Sequence, residues 1–284
     1  MFSNPVGLPA GFFQLPAITT IRSIRQVRPV RQVRQKGYSA KTAPAAFMKT
    51  ISIITVNKNN AAGLRRTIDS VLMQTCKDYE FIVIDGASTD GSAELKKEYP
   101  QIDKFISEPD GGIYPAMNKG IALAAGKYCI FMNSGDTFID DRVLSDLLPK
   151  LDGSYPMVFG ISVNPEGKRH GAIPNVKLRN FWGISFPHQA SFIARELFQK
   201  YGAYREDYRC ASDIFFFYEM IFREKLPYLV TDRTVCNYEG GGLSAGNIGR
   251  REWHHYVMHH MGLHHKIYCL LLEFYSALKR KRDN

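Results

Sequence analysis

The stretch Tyr128-Cys-Ile-Phe-Met-Asn133-Ser-Gly-Asp136 is an apolar run that stops abruptly in small and polar residues with one carboxylate. A buried strand delivering Asn133 and Asp136 to a sheet edge gives this pattern, because open α/β sheets place ligands beyond the carboxyl ends of their strands. A carboxylate beside a side-chain amide there can hold a divalent cation, and the cation can hold a phosphate. Two more apolar runs end in the same way: Ile51–Val56 leads into Asn57, and Tyr79–Ile84 leads into Asp85. One strand-terminal Asp is weak evidence, since such residues commonly cap the next helix or turn. Several at one edge mark a nucleotide-handling candidate.

The elements that would position these groups alternate regularly from Lys49. After the first strand an amphipathic helix runs from about Ala62 to Gln74, with Leu64, Ile68, Val71 and Leu72 on one face. Lys104–Ser107 is a short third strand, and Ile113–Ala125 is a helix closed by Gly126. Strands alternating with helices predict parallel βαβ units in a doubly wound sheet. Past about residue 153 the rhythm changes. Met157–Val163 and Ala190–Ala194 read as strands and Asp213–Phe222 as an apolar, aromatic-rich helix; Gly240–Gly246 reads as a flexible loop. The last forty residues read as a His-rich amphipathic helical segment ending in Lys279-Arg-Lys-Arg282.

The formal charge of +10 is concentrated at the start: residues 1–48 carry Arg22, Arg25, Arg28, Arg31, Arg34, Lys36 and Lys41 and no acid. What remains is no argument for nucleic-acid binding. Pro5, Pro9, Pro16, Pro29 and Pro44 break this leader, so a disordered basic segment is expected. Its composition resembles a transit peptide; the plainer reading is that Met48 is the true start and the leader a mis-assigned extension. Five scattered cysteines without CxxC spacing argue against a disulfide framework and fit a reducing cytosol. No run approaches the roughly 18 apolar residues needed to span a bilayer.

Four ordered motifs carry a resemblance: Ile53-Ile-Thr-Val-Asn57, Ile84-Asp-Gly-Ala-Ser-Thr-Asp-Gly91, Asp110-Gly-Gly-Ile-Tyr-Pro-Ala-Met-Asn-Lys-Gly120 and Asn133-Ser-Gly-Asp136. Over about residues 50–245 the chain resembles a family 2 glycosyltransferase, and within that family the polysaccharide-building subgroup that includes the colanic acid glycosyltransferases. The resemblance implies an α/β GT-A fold: a Rossmann-like, mostly parallel central sheet flanked by helices, with a helical C-terminal extension. Together with the composition of the two ends, this divides the chain into a leader (1–48), a GT-A domain (49–245) and an amphipathic, basic tail (246–284).

The resemblance further implies residue roles. Asp85 lies in the nucleotide pocket against base or ribose, where many members carry a second acid and this chain has Gly86. The metal motif is usually Asp-x-Asp-Asp, and here Asp136, helped by Asn133, is left to hold Mg²⁺ or Mn²⁺. Asn57, Asp110, Tyr114 and Asn118 fall on the donor side, where glycines and a helix N-terminus favour an anion. Cys210-Ala-Ser-Asp213 is similar to the segment that supplies the general base, and its plain alternative is a helix cap. His188 and Gln189 match residues lining the acceptor side or touching the diphosphate. The 240–246 loop would close over a bound donor, or serve as a connector.

The C-terminal histidines read as a surface feature rather than a metal site. Ile267–Tyr275 with the final basic cluster reads either as a peripheral membrane contact through 266–284 or as a helix packed on the core. The expected activity is an inverting transfer of a sugar from a nucleotide-diphosphate donor, UDP-sugar favoured, to a saccharide or lipid-linked acceptor. That activity would serve cell-surface polysaccharide biosynthesis in the cytoplasm, at the inner face of the membrane. Its rivals are an inactive saccharide-binding or scaffold protein, motivated by Gly86 and Gly135, and a Rossmann oxidoreductase, which lacks its glycine fingerprint after Asn57.

Overall fold

The structure is a computed structural model that describes residues 49–174, 186–240, 248–263, 266–267 and 270. All of these belong to one compact unit, Ala45–Asn284; the leader lies outside the described residues, as do most of the 240–246 loop, His264, His265 and most of the 266–284 tail.

Strand β1 (Ile51–Asn57) is buried along its whole length, which suits a run of β-branched residues in the middle of a sheet covered on both faces. It pairs in parallel with β2 (Tyr79–Asp85) on one side and β4 (Tyr128–Phe131) on the other; β2 pairs in parallel with β3 (Lys104–Ser107). The first crossover is helix α1 (Ala61–Leu72), capped by the Asn60 side chain and packed inward through Leu64, Ile68 and Val71. A short turn of helix, α2 (Leu95–Glu98), precedes β3, and α3 (Ile113–Leu123) joins β3 to β4. This is the expected doubly wound half.

The second half departs from simple alternation. After β5 (Thr137–Phe138) and α4 (Val143–Leu147), strand β6 (Met157–Val163) and the edge strand β7 (Arg169–Gly171) form a hairpin. Strand β8 (Ser191–Ala194) inserts antiparallel between β4 and β6. It is followed by α5 (Arg195–Tyr201) and α6 (Ser212–Tyr218), the latter extended by a π turn over Glu219–Arg223. Strand β9 (Leu229–Asn237) then returns beside β6 in parallel and pairs antiparallel with β5. Among the described residues the sheet order is β3-β2-β1-β4-β8-β6-β9-β5. The parallel character read from the sequence therefore belongs to β1–β4, and the sheet as a whole is mixed.

Helix α7 (Ile248–His260) packs on the core rather than projecting from it. Trp253, Tyr256 and Val257 are buried, and the Tyr256 ring stacks on Phe215 of α6 at 4.2 Å and 7°.

Gly126 follows α3 rather than ending it, since the helix stops at Leu123 with Ala124 already extended, and glycine is needed at 126 for another reason. A Cβ there would sit 2.7 Å from the backbone nitrogen of Ser52, so only glycine lets the chain enter β4 this close to β1. Gly126→Ala is expected to cost roughly 2 kcal/mol of stability, read as a lowered denaturant midpoint at unchanged slope. Beneath it lies Glu80, at the opposite end of the sheet from the polar edge. Burial raises its pKa, but hydrogen bonds from Ser52, Lys104 and the Ala125 and Gly126 N–H groups overbalance this and hold it below the usual range.

Candidate active site

The parallel strands deliver their polar ends to one edge, as their register dictates. Asn57 pairs with Asp85 across β1 and β2, and the chain beyond β4 stays beside β1 through Met132 N–H to Ile54 and Ser134 N–H to Val56. Asn133-Ser-Gly-Asp136 is a turn closed by Asp136 N–H donating to the Asn133 carbonyl at 2.9 Å. Thr67 of α1 buttresses it, its hydroxyl donating to the Asp136 carbonyl at 2.7 Å and accepting from Gly135 N–H at 3.0 Å. Gly135 has φ +100, a conformation only glycine adopts readily.

Asp136 is 5% exposed. Burial pushes its carboxyl up to about 6; the Glu239 N–H at 3.0 Å, the neighbouring His188 and the Gln189 side chain pull it partly back. In Asn133, the amide nitrogen meets His188 Nε2 at 3.0 Å, and the amide oxygen is buried without a hydrogen-bond partner. A costly buried carboxylate and an orphaned amide oxygen on one turn are a donor set that a hard divalent cation would relieve. The residues therefore fit Mg²⁺ or Mn²⁺. Among the described residues no three His, Cys, Asp or Glu side chains are grouped to hold a cation by themselves, so such an ion would depend on further oxygens from a bound phosphate.

From this turn a chain of hydrogen bonds runs to Asp213. His188 Nδ1 lies 3.1 Å from Asp213 Oδ2, and the Tyr114 hydroxyl donates to Asp213 Oδ1 at 2.8 Å. Asp213 is thus not the cap of α6, whose first turn it occupies; its side chain makes no cap bond. The N–H groups of Cys210 and Ala211 instead donate to Glu252 of α7, both at 3.0 Å. Sequence reasoning missed Glu252, which carries no motif and lies 41 residues downstream of Ala211. Burial, then the Asp213 charge, raises the Tyr114 pKa far above its usual value, so Tyr114 remains a donor. For His188, burial lowers the pKa, but the Asp213 hydrogen bond and the charges of Asp213 and Asp136 win and raise it. The neutral ring donates from Nδ1 and accepts from Asn133 at Nε2; a protonated ring donates from both nitrogens, so Asn133 would have to turn its oxygen inward.

The donor-side residues divide. Asp85 is fully buried and its carboxylate accepts from Asn57 Nδ2, Ser88 N–H, Ser88 Oγ and Ser107 Oγ. Burial raises its pKa, but these bonds outweigh it and hold it low. Asp85 therefore shapes the 85–88 turn, while Asn57 Oδ1 is left buried and unpartnered beside it. Asp110 accepts from Gly112 N–H at 3.1 Å and lies against Gly86, where a Cβ would stand 2.7 Å from its Oδ2. A carboxylate thus reaches the position where Gly86 supplies none. Asn118 is engaged away from the edge, clamping the backbone of Tyr204 through both ends of its amide and reaching Glu206.

A mixed sheet with polar groups at the C-terminal edge of its parallel strands, a buried carboxylate in an Asn-Ser-Gly-Asp turn and a second linked to His188 agrees with the GT-A fold that the motifs imply. The family model for glycosyl transferase family 2 matches residues 52–225, and the chain belongs to that family of glycosyltransferases. It is 37% identical over 207 residues to an uncharacterized glycosyltransferase of Mycobacterium tuberculosis, covering 69% of this chain and 77% of the relative. It is 30% identical over 201 residues to a PGL/p-HBAD biosynthesis glycosyltransferase of Mycobacterium bovis, covering 68% and 78%. Similar folds include S. aureus TarS 1-349 in complex with UDP-GlcNAc (TM-score 0.57, 17% identity, 72% of this chain and 64% of that one). Another is a mannosyltransferase of Pyrobaculum calidifontis in complex with GDP-Man and Mn²⁺ (TM-score 0.54, 17% identity, 73% and 60%). The chain spans about three fifths of these solved structures. Among the described residues no helix is long and apolar enough to cross a membrane.

Proposed function

We propose that this glycosyltransferase inverts the anomeric centre of a nucleotide-diphosphate sugar, UDP-sugar favoured, on transfer to a saccharide or lipid-linked saccharide acceptor. The observation that carries this reading is the hydrogen-bonded chain Tyr114–Asp213–His188–Asn133, which joins the base to the turn assigned to the diphosphate. In the proposed reaction the acceptor hydroxyl oxygen attacks the anomeric carbon from the face opposite the nucleotide. The new C–O bond forms as the bond to the phosphate oxygen breaks, and the electron pair leaves with the nucleoside diphosphate. The hydroxyl proton passes to Asp213. Tyr114 and His188 hold that carboxylate in place, and its burial by the aromatic α6 keeps competing water away.

On the leaving-group side, Asp136 and the Asn133 amide oxygen would hold Mg²⁺ or Mn²⁺, which when bound offsets the charge growing on the diphosphate. Gln189 orients Asp136, and His188 orients Asn133. Asn57 and Asp110 are assigned to the nucleoside, with Asp85 stiffening the adjoining 85–88 turn and Asn118 holding the Tyr204 backbone. Relatives are named for PGL/p-HBAD biosynthesis and, in Bacillus subtilis, for teichuronic acid biosynthesis. A role in cell-surface polysaccharide assembly at the cytoplasmic face of the membrane, with 266–284 as a peripheral contact, fits those names.

The test is a panel of nucleotide sugars with Mn²⁺ or Mg²⁺ and a crude lipid acceptor, scored for nucleoside diphosphate release. Cation-dependent release from at least one donor is expected. Release from none would favour the scaffold reading, whose motive is the glycine at positions 86 and 135.

A further inference from the structure

Asn133 and Gly135 leave the cation turn two acids short of the usual Asp-x-Asp-Asp, yet the space beside Gly135 holds a carboxylate. A Cβ built on Gly135 would stand 1.9 Å from Glu239 Oε2 and 2.5 Å from its carboxyl carbon. We propose that Glu239 supplies the second carboxylate of the cation–diphosphate site, in place of the acid that position 135 lacks. This rests on the reading of Asp136 as a cation ligand.

Glu239 is brought there by backbone geometry. β5 and β9 pair antiparallel with Thr137 opposite Asn237, so the chain leaving β9 runs past the Asn133–Asp136 turn. The Glu239 N–H then donates to Asp136 Oδ1 at 3.0 Å, which fixes the Glu239 backbone against the proposed ligand. A φ of +100 at residue 135 bars most side chains from the turn itself, so an acid for this space is better delivered from another strand.

The present partners of the Glu239 carboxylate are exchangeable ones. Asn60 Nδ2 donates to Oε2 at 3.1 Å and Arg66 forms an ion pair with Oε1. The Glu239 and Arg66 side chains are 42% and 51% exposed, and an ion pair that open to water contributes little net. A divalent cation offers the carboxylate more than Arg66 does. Arg66 thus competes for Glu239 in the free protein and releases it when the cation arrives with the diphosphate.

Mn²⁺ binding to the full chain in the presence of UDP, followed by the electron paramagnetic resonance of free Mn²⁺, tests this without reference to turnover. Glu239→Gln is expected to weaken Mn²⁺ binding about tenfold or more, and Asp136→Asn to remove it. Arg66→Gln should bind Mn²⁺ at least as tightly as the unaltered protein, and lose that affinity once Glu239→Gln is added. A thermal melt without Mn²⁺ verifies that each variant is folded. Unchanged binding in Glu239→Gln, with loss in Asp136→Asn, would overturn the role of Glu239 and leave the Asp136 reading standing. Equal weakening by Arg66→Gln and Glu239→Gln would make the pair merely structural and also overturn it. Unchanged binding in Asp136→Asn, or none in the unaltered protein, would overturn the cation reading itself.

Discussion

Asp213→Asn leaves the protein folded and able to bind a nucleotide-sugar donor but lowers transfer by about 10³-fold or more, the range for loss of a positioned general base. The substitution keeps the size of the side chain and one oxygen to accept from the Tyr114 hydroxyl. It removes the charge that His188 faces and the basic atom that takes the acceptor proton. Donor binding is unaffected because the nucleotide groups, Asn57 and Asp110, belong to other strand ends. His188→Gln is the companion variant. It keeps a hydrogen-bond donor toward Asp213 but not the charge, so it should lower the turnover rate by a smaller factor and change its pH profile. A titration showing donor affinity intact and turnover gone supports the assignment; near-normal turnover in Asp213→Asn removes it.

Asp136→Asn is expected to raise the melting temperature while abolishing transfer. Burial places the folded-state pKa of Asp136 at about 6, against an ordinary 3.8. The folded chain therefore binds this proton more tightly than the unfolded one. The stability so gained is fully present below the ordinary value and is lost as pH rises through about 6. At neutral pH the ionised, nearly inaccessible carboxylate costs on the order of 3 kcal/mol, a cost a bound cation would relieve. Asparagine carries no charge and its oxygen still accepts from the Glu239 N–H. In cation-free buffer near neutrality the variant should melt roughly 5 °C higher. In acid the gain should vanish. Added Mn²⁺ with UDP should stabilise the unaltered protein and not the variant. A variant that melts lower than the unaltered protein in cation-free neutral buffer would contradict this account of the site.

How far the sequence discloses these features depends on whether the partners lie close in the chain. The runs Ile51–Val56, Tyr79–Ile84 and Tyr128–Phe131 are buried throughout and mostly apolar, Ser52, Thr55 and Glu80 apart, because both faces of β1, β2 and β4 are covered, so their positions and polar ends are legible. Helix α1 is legible from the spacing of Leu64, Ile68 and Val71. The Asn133–Asp136 turn can be read because its chemistry is contiguous. The tertiary pairings cannot. Tyr114 meets Asp213 across 99 residues, Asn60 meets Glu239 across 179, and no periodicity encodes either contact. The order of β8, β6 and β9 is equally hidden, since a strand's pattern of burial does not name its neighbour or direction. Asp85 shows the converse: its residue type and place are legible, but its four internal hydrogen bonds, which turn it toward holding its own loop, are not.

The most direct test of the central claim is the anomeric configuration of the product. With a donor of known linkage identified from the panel, proton NMR of the new glycosidic linkage reads whether the centre has inverted. One carboxylate base opposite the departing diphosphate predicts a single displacement and a product of the opposite configuration, β from an α-linked donor. A product that retains the donor's configuration would contradict Asp213 as the base and, with it, the mechanism built on this site.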